Sequence, residues 1–296
     1  ETATGRGARS SDSVLTLNVW EISMHRSIVP LFVACLAVAG PVVSGCATGD
    51  SVGGRSTRAA AHVVLPAEQE EDLGAGFSDQ IASEVTFHPS EAVQSYVTEL
   101  GRLAVESARS RNDVPSGIEF EFRVIDNAET INAFAGPGGQ IYVYSGLLKR
   151  ASSAAEVLSV LCHEVAHVTE RHIAERLVAT YGLQALKRAA LGDDPGVVGN
   201  LVSSAASQGF LLKYSRSHET EADETGLTYM LGTGYDPRAF IDFFELIAAS
   251  SGPRPPQFLS SHPFPENRIA NIQKRLEGRT DLSSQRGRDR HREILE

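Results

Sequence analysis

Cysteine is scarce in this chain of 296 residues, which has only three, at positions 35, 46 and 162. Cys35 lies inside an apolar N-terminal segment and Cys46 directly follows it, so Cys162 is the one cysteine in the body of the protein. One cysteine cannot form an intramolecular disulfide there. The apolar neighbours of Cys162 indicate a small buried core residue rather than a metal ligand.

Basic residues are also in the minority, with 27 Lys and Arg against 37 Asp and Glu and a net charge of −10. No run of basic residues is interleaved with aromatic residues. Because a nucleic-acid interface needs a positively charged face, this composition excludes nucleic acid as the main partner.

The sequence has no apolar run long enough to span a bilayer. Its longest candidate, residues 28–43, contains Pro30, Gly40 and Pro41 and is shorter than the roughly 20 residues that a spanning helix needs. A short basic start after Met24, then this run and then small residues, is typical of a secretory signal peptide; a membrane-spanning segment is the alternative. We therefore expect residues 1–23 to lie upstream of the true start.

The end of the apolar run, Val43-Ser44-Gly45-Cys46, resembles a bacterial lipobox. The resemblance implies lipidation of Cys46, and two or more acyl chains suffice for stable membrane anchoring. Ala47 follows in place of an inner-membrane retention aspartate. In an organism with two membranes we expect the protein to be anchored at the periplasmic face of the outer membrane, and in one with a single membrane, in the cell envelope.

Composition divides the rest of the chain. Residues 46–80 are rich in Gly, Ser, Ala and acids, which predicts a flexible tether. The charged C-terminal residues predict a frayed tail. The predicted organisation is a signal peptide at 24–45, a tether at 46–80, a folded domain at 81–278 and a polar tail at 279–296.

Periodicity predicts a mainly helical α+β domain with a small antiparallel sheet. The strands are expected in "IEFEFRVID" and on either side of Gly136–Gly139. One long helix is expected from 153 to about 178, and it carries the pentad HEVAH.

The pentad places His163 and His167 one turn apart on a single helix face, as two ligands of a tetrahedral zinc would be. Glu164 is next to this face and could reach a metal-bound water. The alternative is an amphipathic helix with satisfied core histidines. On a continuous helix His172 lies off the metal-facing stripe and is expected at the surface.

A metal site needs a third ligand. The extended pattern with a glycine at 170 and a histidine at 173 is absent, because the chain has Glu170 and Ile173. Glu219 and Asp223 instead form a pair at i and i+4, of which one could ligate while the other accepts the free N–H of a metal-bound histidine. Glu221 faces elsewhere and is expected to be a solvated charge.

HEVAH followed by Glu219-x-x-x-Asp223 resembles the gluzincin metallopeptidases, in particular the family of HtpX and the CAAX prenyl protease. "NAFAGPGGQIYVYSGLL" and "SSHPFPENRI" resemble two further motifs of that family, so the likeness covers about 85–277. Since no spanning helices are expected, the chain is most similar to the compact periplasmic lipoprotein members that lack a tetratricopeptide-repeat tail. The resemblance implies a zincin-like fold.

The resemblance also implies roles for these residues. One Zn²⁺ would be held by His163, His167 and Glu219, while Glu164 acts as general base and Asp223 orients a ligand histidine. His262 or Arg268 could stabilise the oxyanion. A His-Pro turn that caps the last helix, or His262 as a regulatory fourth ligand, remain alternatives.

The glycine-rich segment predicts a substrate-binding edge strand beside the cleft, with Gly139, Ile141 and Val143 in contact with an extended polypeptide. The alternative is an ordinary sheet strand. The predicted function is a zinc endopeptidase that cleaves misfolded or unassembled envelope proteins. The competing hypothesis is an envelope chaperone or scaffold that binds such clients with little cleavage.

Overall fold

The computed structural model describes residues 65–208, 214–250, 256–263 and 267–296. The predicted signal peptide, lipobox and Cys46 lie outside the described residues. Among the described residues, no helix is long and apolar enough to cross a membrane.

The fold is α+β and mainly helical, as predicted, with three short strands. The strands are β1 (Glu121–Ile125), β2 (Ala133–Ala135) and β3 (Gln140–Tyr144). The described helices are α1 (Ala67–Glu84), α2 (Glu91–Ser110), α3 (Ser145–Arg150), α4 (Ala154–Thr169), α5 (His172–Tyr181), α6 (Leu183–Ala190), α7 (Pro195–Gln208), α8 (Arg216–Gly232), α9 (Ala239–Ala249), α10 (Phe258–Ser261), α11 (Arg268–Leu276) and α12 (Arg288–Leu295).

The sheet is mixed, not antiparallel as predicted, and β3 is its central strand. β1 pairs with β3 in parallel, with Val124 opposite Val143, and β2 pairs with β3 antiparallel, with Phe134 opposite Tyr142. The prediction of a β3 edge was wrong because alternation within a segment shows that it is a strand but not its place in the sheet. The edge strand nearest the metal-binding helix is β2.

Helix α4 carries HEVAH through the centre of the molecule, and all its residues are buried. It begins with a reciprocal cap: the hydroxyl of Ser153 accepts a hydrogen bond from the backbone N–H of Glu156, and it donates one to that glutamate's carboxylate. The helix ends earlier than predicted, because Arg171 adopts a left-handed backbone conformation with φ 63°. Beyond this break the chain continues in a new direction as α5.

Helix α8 packs against α4 and brings the acidic pair to HEVAH. Gly226 permits this approach: a Cβ there would lie 3.0 Å from the carbonyl oxygen of Cys162 and 3.1 Å from Cα of His163. A side chain at position 226 would therefore push the two helices apart. Cys162 is a buried free thiol, as predicted.

The tether prediction was wrong for residues 67–80, which belong to α1. This helix buries Leu73, Phe77 and Ile81 on one face. It is also tied to the break after α4, because Arg171 forms a buried ion pair with Glu70 at 2.6 Å. The guanidinium of Arg171 donates to the carbonyl of Leu65 as well, at 2.9 Å.

The C-terminal residues are also part of the domain rather than a frayed tail. In α12 the buried His291 places Nδ1 2.7 Å from the hydroxyl of Tyr96. Its Nε2 lies 3.1 and 3.0 Å from the carbonyl oxygens of Leu148 and Ala151. The polar composition that suggested fraying concealed one well-partnered buried residue.

Candidate metal centre

Four side chains from three separate segments converge at the polar edge of α4: His163, His167, Glu219 and His262. Each offers one potential ligand atom, these atoms lie within 4.8 Å of one another, and all four residues are buried. HEVAH supplies two donors, α8 supplies the carboxylate, and the segment after α10 supplies His262. This is the one such cluster found in the described part of the chain.

The donor atoms face one another closely. Nε2 of His167 lies 3.1 Å from Nε2 of His163, which is 3.3 Å from Nδ1 of His262. Glu219 completes the group, with Oε1 3.1 Å from Nδ1 of His262 and 3.4 Å from Nε2 of His167. The two HEVAH histidines thus present the same ring nitrogen, Nε2, to a single point.

Asp223 and Arg268 form a layer behind these donors. Oδ1 of Asp223 lies 3.0 Å from Nδ1 of His163, the ring nitrogen that points away from the cluster. Arg268 donates from Nε to Asp223 at 2.6 Å and from Nη1 to Glu219 at 2.8 Å. Because Nη2 also donates to Asp223, the buried guanidinium holds both carboxylates in place. This geometry does not support Arg268 as an oxyanion donor.

Glu164 is fully buried beside the cluster. Within the part of the chain that the structure describes, neither of its carboxylate oxygens has a hydrogen-bond partner. Its nearest cationic candidate is Nε2 of His262, 3.4 Å from Oε1. Burial raises the pKa of Glu164, while His262, His163 and the backbone amide of Ala135 act to lower it. An unsatisfied carboxylate with a raised pKa is suited to taking and releasing a proton.

These residues fit a bound metal ion. Three imidazole nitrogens and a carboxylate are a donor set typical of zinc. Their crowding would be hard to account for otherwise, because ring nitrogens placed 3.1–3.3 Å apart need a proton or a cation between them. Nδ1 of His163 points to Asp223, as the free nitrogen of a metal-bound histidine usually points to a carboxylate.

At two of the donors, Glu219 and His167, the surroundings favour the deprotonated form that can bind a metal ion. Burial acts to raise the pKa of Glu219, but the neighbouring histidines outweigh it and hold that pKa well below the usual range. Burial lowers the pKa of His167 well below its ordinary value. For His163 burial also acts to lower the pKa, but hydrogen bonds and charges from Asp223 and Glu219 raise it to about 9. A metal must therefore displace a proton from His163.

Two aromatic side chains that the sequence did not single out lie against the cluster. Tyr214 stacks on His167 with ring centroids 3.8 Å apart, and Phe258 stacks on His262 at 4.5 Å. No local pattern marks either residue: Tyr214 lies just before α8, and Phe258 is the first residue of the short helix α10.

His172 is buried and not at the surface as expected, with Nδ1 only 3.0 Å from Nδ1 of His167. Glu221 is not simply solvated either, because its Oε2 lies 3.2 Å from Nε2 of His172. The expectation for His172 assumed an unbroken helix through Arg171, whereas that for Glu221 rested on its facing away from Glu219 and Asp223. The left-handed conformation of Arg171 turns His172 back towards the cluster.

The strand positions predicted to bind substrate do not offer a sheet edge. Ile141 and Val143 are buried in β3, which is paired on both sides. Gly139 precedes the strand with φ 86°, and a Cβ there would meet the carbonyl oxygen of Glu119 at 2.4 Å. These residues build the sheet, and the edge strand in contact with the HEVAH helix is β2.

A buried HExxH helix with a carboxylate ligand candidate from a second helix defines the metallopeptidase class. The chain belongs to Peptidase family M48, whose model matches residues 91–276. This confirms the family resemblance predicted from the motifs.

The names of similar proteins, which are proteases and a metalloendopeptidase, agree with membership of this family. A Vibrio cholerae relative is 32% identical over 252 residues, covering 81% of this chain and 51% of that protein. The beta-barrel assembly-enhancing protease of Escherichia coli is 26% identical over 263 residues, covering 85% and 52%. The mitochondrial metalloendopeptidase OMA1 of Schizosaccharomyces pombe is 32% identical over 193 residues, covering 64% and 54%. The chain spans about half the length of these relatives.

Proposed function

We propose that this protein is a zinc-dependent endopeptidase of the bacterial cell envelope that cleaves misfolded or unassembled envelope proteins. The observation that carries the proposal is the convergence of His163, His167 and Glu219 beside the unpartnered carboxylate of Glu164. The relatives named beta-barrel assembly-enhancing proteases support the envelope as the place of action.

His163, His167 and Glu219 would hold the ion, and Asp223 and Arg268 keep two of these ligands oriented. When bound, zinc supplies a Lewis acid that acidifies water and polarises the scissile carbonyl. Glu164 takes a proton onto its carboxylate as water attacks, and it delivers that proton to the leaving amine nitrogen. Its burial helps because a raised pKa makes the carboxylate a stronger base in the first step.

His262 closes the site in this conformation. Its Nδ1 lies among the donor atoms, and four protein donors leave no open position of the kind a catalytic zinc keeps. We infer that His262 is a regulatory fourth ligand that must move aside before substrate is cleaved. Of the two roles foreseen for this residue, the geometry favours this one over oxyanion stabilisation.

An extended substrate would add to the side of β2 that is not paired with β3; this strand is buried in the present conformation, so the edge must first be uncovered. Asn132 accepts from Tyr144, and Gly136 donates to Gln140, so the intervening Ala133 and Ala135 turn their backbone groups away from β3. The amide of Ala135 is directed towards Glu164. A backbone paired at this edge would pass next to the general base.

Attachment to the outer membrane through a lipid on Cys46 remains our proposal for the N-terminal segment. Replacing Cys46 with serine should move the protein from the membrane to the soluble periplasmic fraction and leave peptidase activity intact. Mass spectrometry of the mature N-terminus checks the modification. An unacylated N-terminus, or one that begins upstream of Cys46, would refute it.

Metal analysis of the purified protein combined with casein cleavage tests the main proposal. We expect one zinc per chain and cleavage that a chelator abolishes and added zinc restores. Zinc binding with suppression of client aggregation but no cleavage would favour the chaperone hypothesis instead.

A further inference from the structure

His172 lies directly behind the ligand candidate His167. Helix α4 ends at Thr169, and the left-handed Arg171 redirects the chain so that His172 begins α5 facing inward. Its Nδ1 is 3.0 Å from Nδ1 of His167, and its side chain is 2% exposed. His172 therefore contacts the one nitrogen of His167 that does not face the metal cluster.

The opposite nitrogen of His172 reaches a carboxylate. Its Nε2 lies 3.2 Å from Oε2 of Glu221, whose side chain is 35% exposed. A chain of polar contacts thus runs from His167 through one buried imidazole to a carboxylate near solvent.

Hydrogen-bond chemistry allows this chain only one direction for neutral rings. Nε2 of His167 faces the donor cluster, so its proton lies on Nδ1 and is donated to His172. Nδ1 of His172 must then be the acceptor, which leaves its proton on Nε2 for donation to Glu221. Every polar atom of the chain has a matching partner in this arrangement.

We propose that His172 is a positioning residue that fixes the tautomer and ring orientation of His167. It links that ring, through its own two nitrogens, to the carboxylate of Glu221. This inference rests on the proposed function, since it assigns a role towards the ion held by His167. The other HEVAH histidine, His163, receives the same support directly from Asp223, at 3.0 Å. Both carboxylates lie on α8: Asp223 contacts one ligand histidine directly, and Glu221 reaches the other through His172 of α5.

The test compares two substitutions of nearly equal shape, His172→Leu and His172→Asn. Asparagine places Oδ1 where histidine has Nδ1 and can accept the proton of His167, whereas leucine offers a methyl group there. Zinc affinity is measured by competition with a chromophoric chelator. The visible spectrum of the cobalt-substituted protein reports the ligand geometry.

We expect His172→Leu to weaken zinc binding by about 10- to 100-fold, the usual effect of losing a partner of a metal-bound histidine. His172→Asn should recover most of that loss and keep the wild-type cobalt spectrum. His218→Leu is the matched control: His218 stacks on His172 at 4.3 Å but takes no part in this chain of polar contacts, so the zinc affinity of this variant should stay close to the wild-type value.

Three results would overturn the inference: wild-type zinc affinity in His172→Leu, equal loss in the leucine and asparagine variants, or equal loss in His218→Leu. If the leucine variant does not fold, Glu221→Ala still tests the outer link, and unchanged zinc affinity and cobalt spectrum there would refute the inference. Failure of the proposed function looks different, because the wild-type protein would then bind no stoichiometric zinc, or His163→Ala would bind it equally well.

Discussion

Glu164 is a residue whose replacement should impair catalysis without disturbing the fold. It is next to the ligand candidate His163 but makes no hydrogen bond that holds the described fold together. Replacing it with glutamine keeps its shape and removes its ability to carry a proton.

Glu164→Gln should therefore fold and retain zinc while casein cleavage falls by about 10²- to 10⁴-fold, the usual contribution of general acid–base catalysis. Cleavage rates and zinc content measured on one preparation check this. Near-wild-type cleavage by the zinc-loaded variant would show that the proton is handled elsewhere.

Replacing His262 at the same site is expected to raise the cleavage rate, whereas replacing Glu164 lowers it. If His262 closes the site as a fourth donor, His262→Ala should keep zinc through the three remaining ligands and cleave a short unstructured peptide faster than the wild-type protein. If His262 were an oxyanion donor, His262→Ala would instead lose about 10²-fold or more in turnover. The sign of the change in peptide turnover distinguishes the two roles.

At this scale the spacing of residues predicted much of the candidate site. His163, Glu164 and His167 follow from one helical turn, and Glu219 with Asp223 from another. His172 could not be predicted, because its position depends on a left-handed backbone at Arg171, a residue type that rarely adopts one. The crossing of α8 over α4 at Gly226 had no local signal either.

Among the elements, β2 is the edge strand to which our proposal assigns the substrate. Ala133 turns its backbone N–H away from β3, so proline at this position removes no hydrogen bond within the sheet. Ala133→Pro should therefore stay folded but cleave an unstructured protein more slowly.

Val143→Pro is the matched control, because β3 is paired on both sides and the same change should destabilise the domain. Circular dichroism and cleavage rates check both variants. A folded Ala133→Pro protein with undiminished cleavage would rule out strand addition at β2.

Element types were easier to predict than their arrangement. The strands around Gly136–Gly139 were recognised from alternation, but their order in the sheet depends on long-range pairing. Helix α1 had a visible signal, since Leu73, Phe77 and Ile81 recur every four residues. The surrounding acids and glycines obscure this signal, because their composition is that of a flexible linker.

At the scale of the whole molecule, α12 joins the C-terminal end to the core through His291. Burial lowers the pKa of His291 below its ordinary value, against weaker opposing effects of the Ala151 and Leu148 carbonyls and of Glu156. The neutral ring accepts from Tyr96, so a second proton would remove this acceptor. Arg290, paired with Glu99 over the Tyr96 ring, adds a nearby positive charge.

The sign of the pH effect follows from this shift. The unfolded chain takes up a proton on His291 near pH 6.5, before the folded state does, so His291 contributes stability above that pH and loses it as the pH falls. The difference in free energy of unfolding between the wild-type protein and His291→Leu should therefore shrink below about pH 6.5. Urea titrations at several pH values check this, and a difference that grows on acidification would contradict it.

The ion pair between Glu70 and Arg171 has a mechanical consequence. Among the described residues α1 is the first helix, and it is held to the core at Arg171, just beyond the end of the metal-binding helix. Separating a buried pair leaves an uncompensated charge, at a cost of about 3–5 kcal/mol. A force that separates α1 from the core must therefore break this pair, and it acts on Arg171, two residues beyond the end of α4.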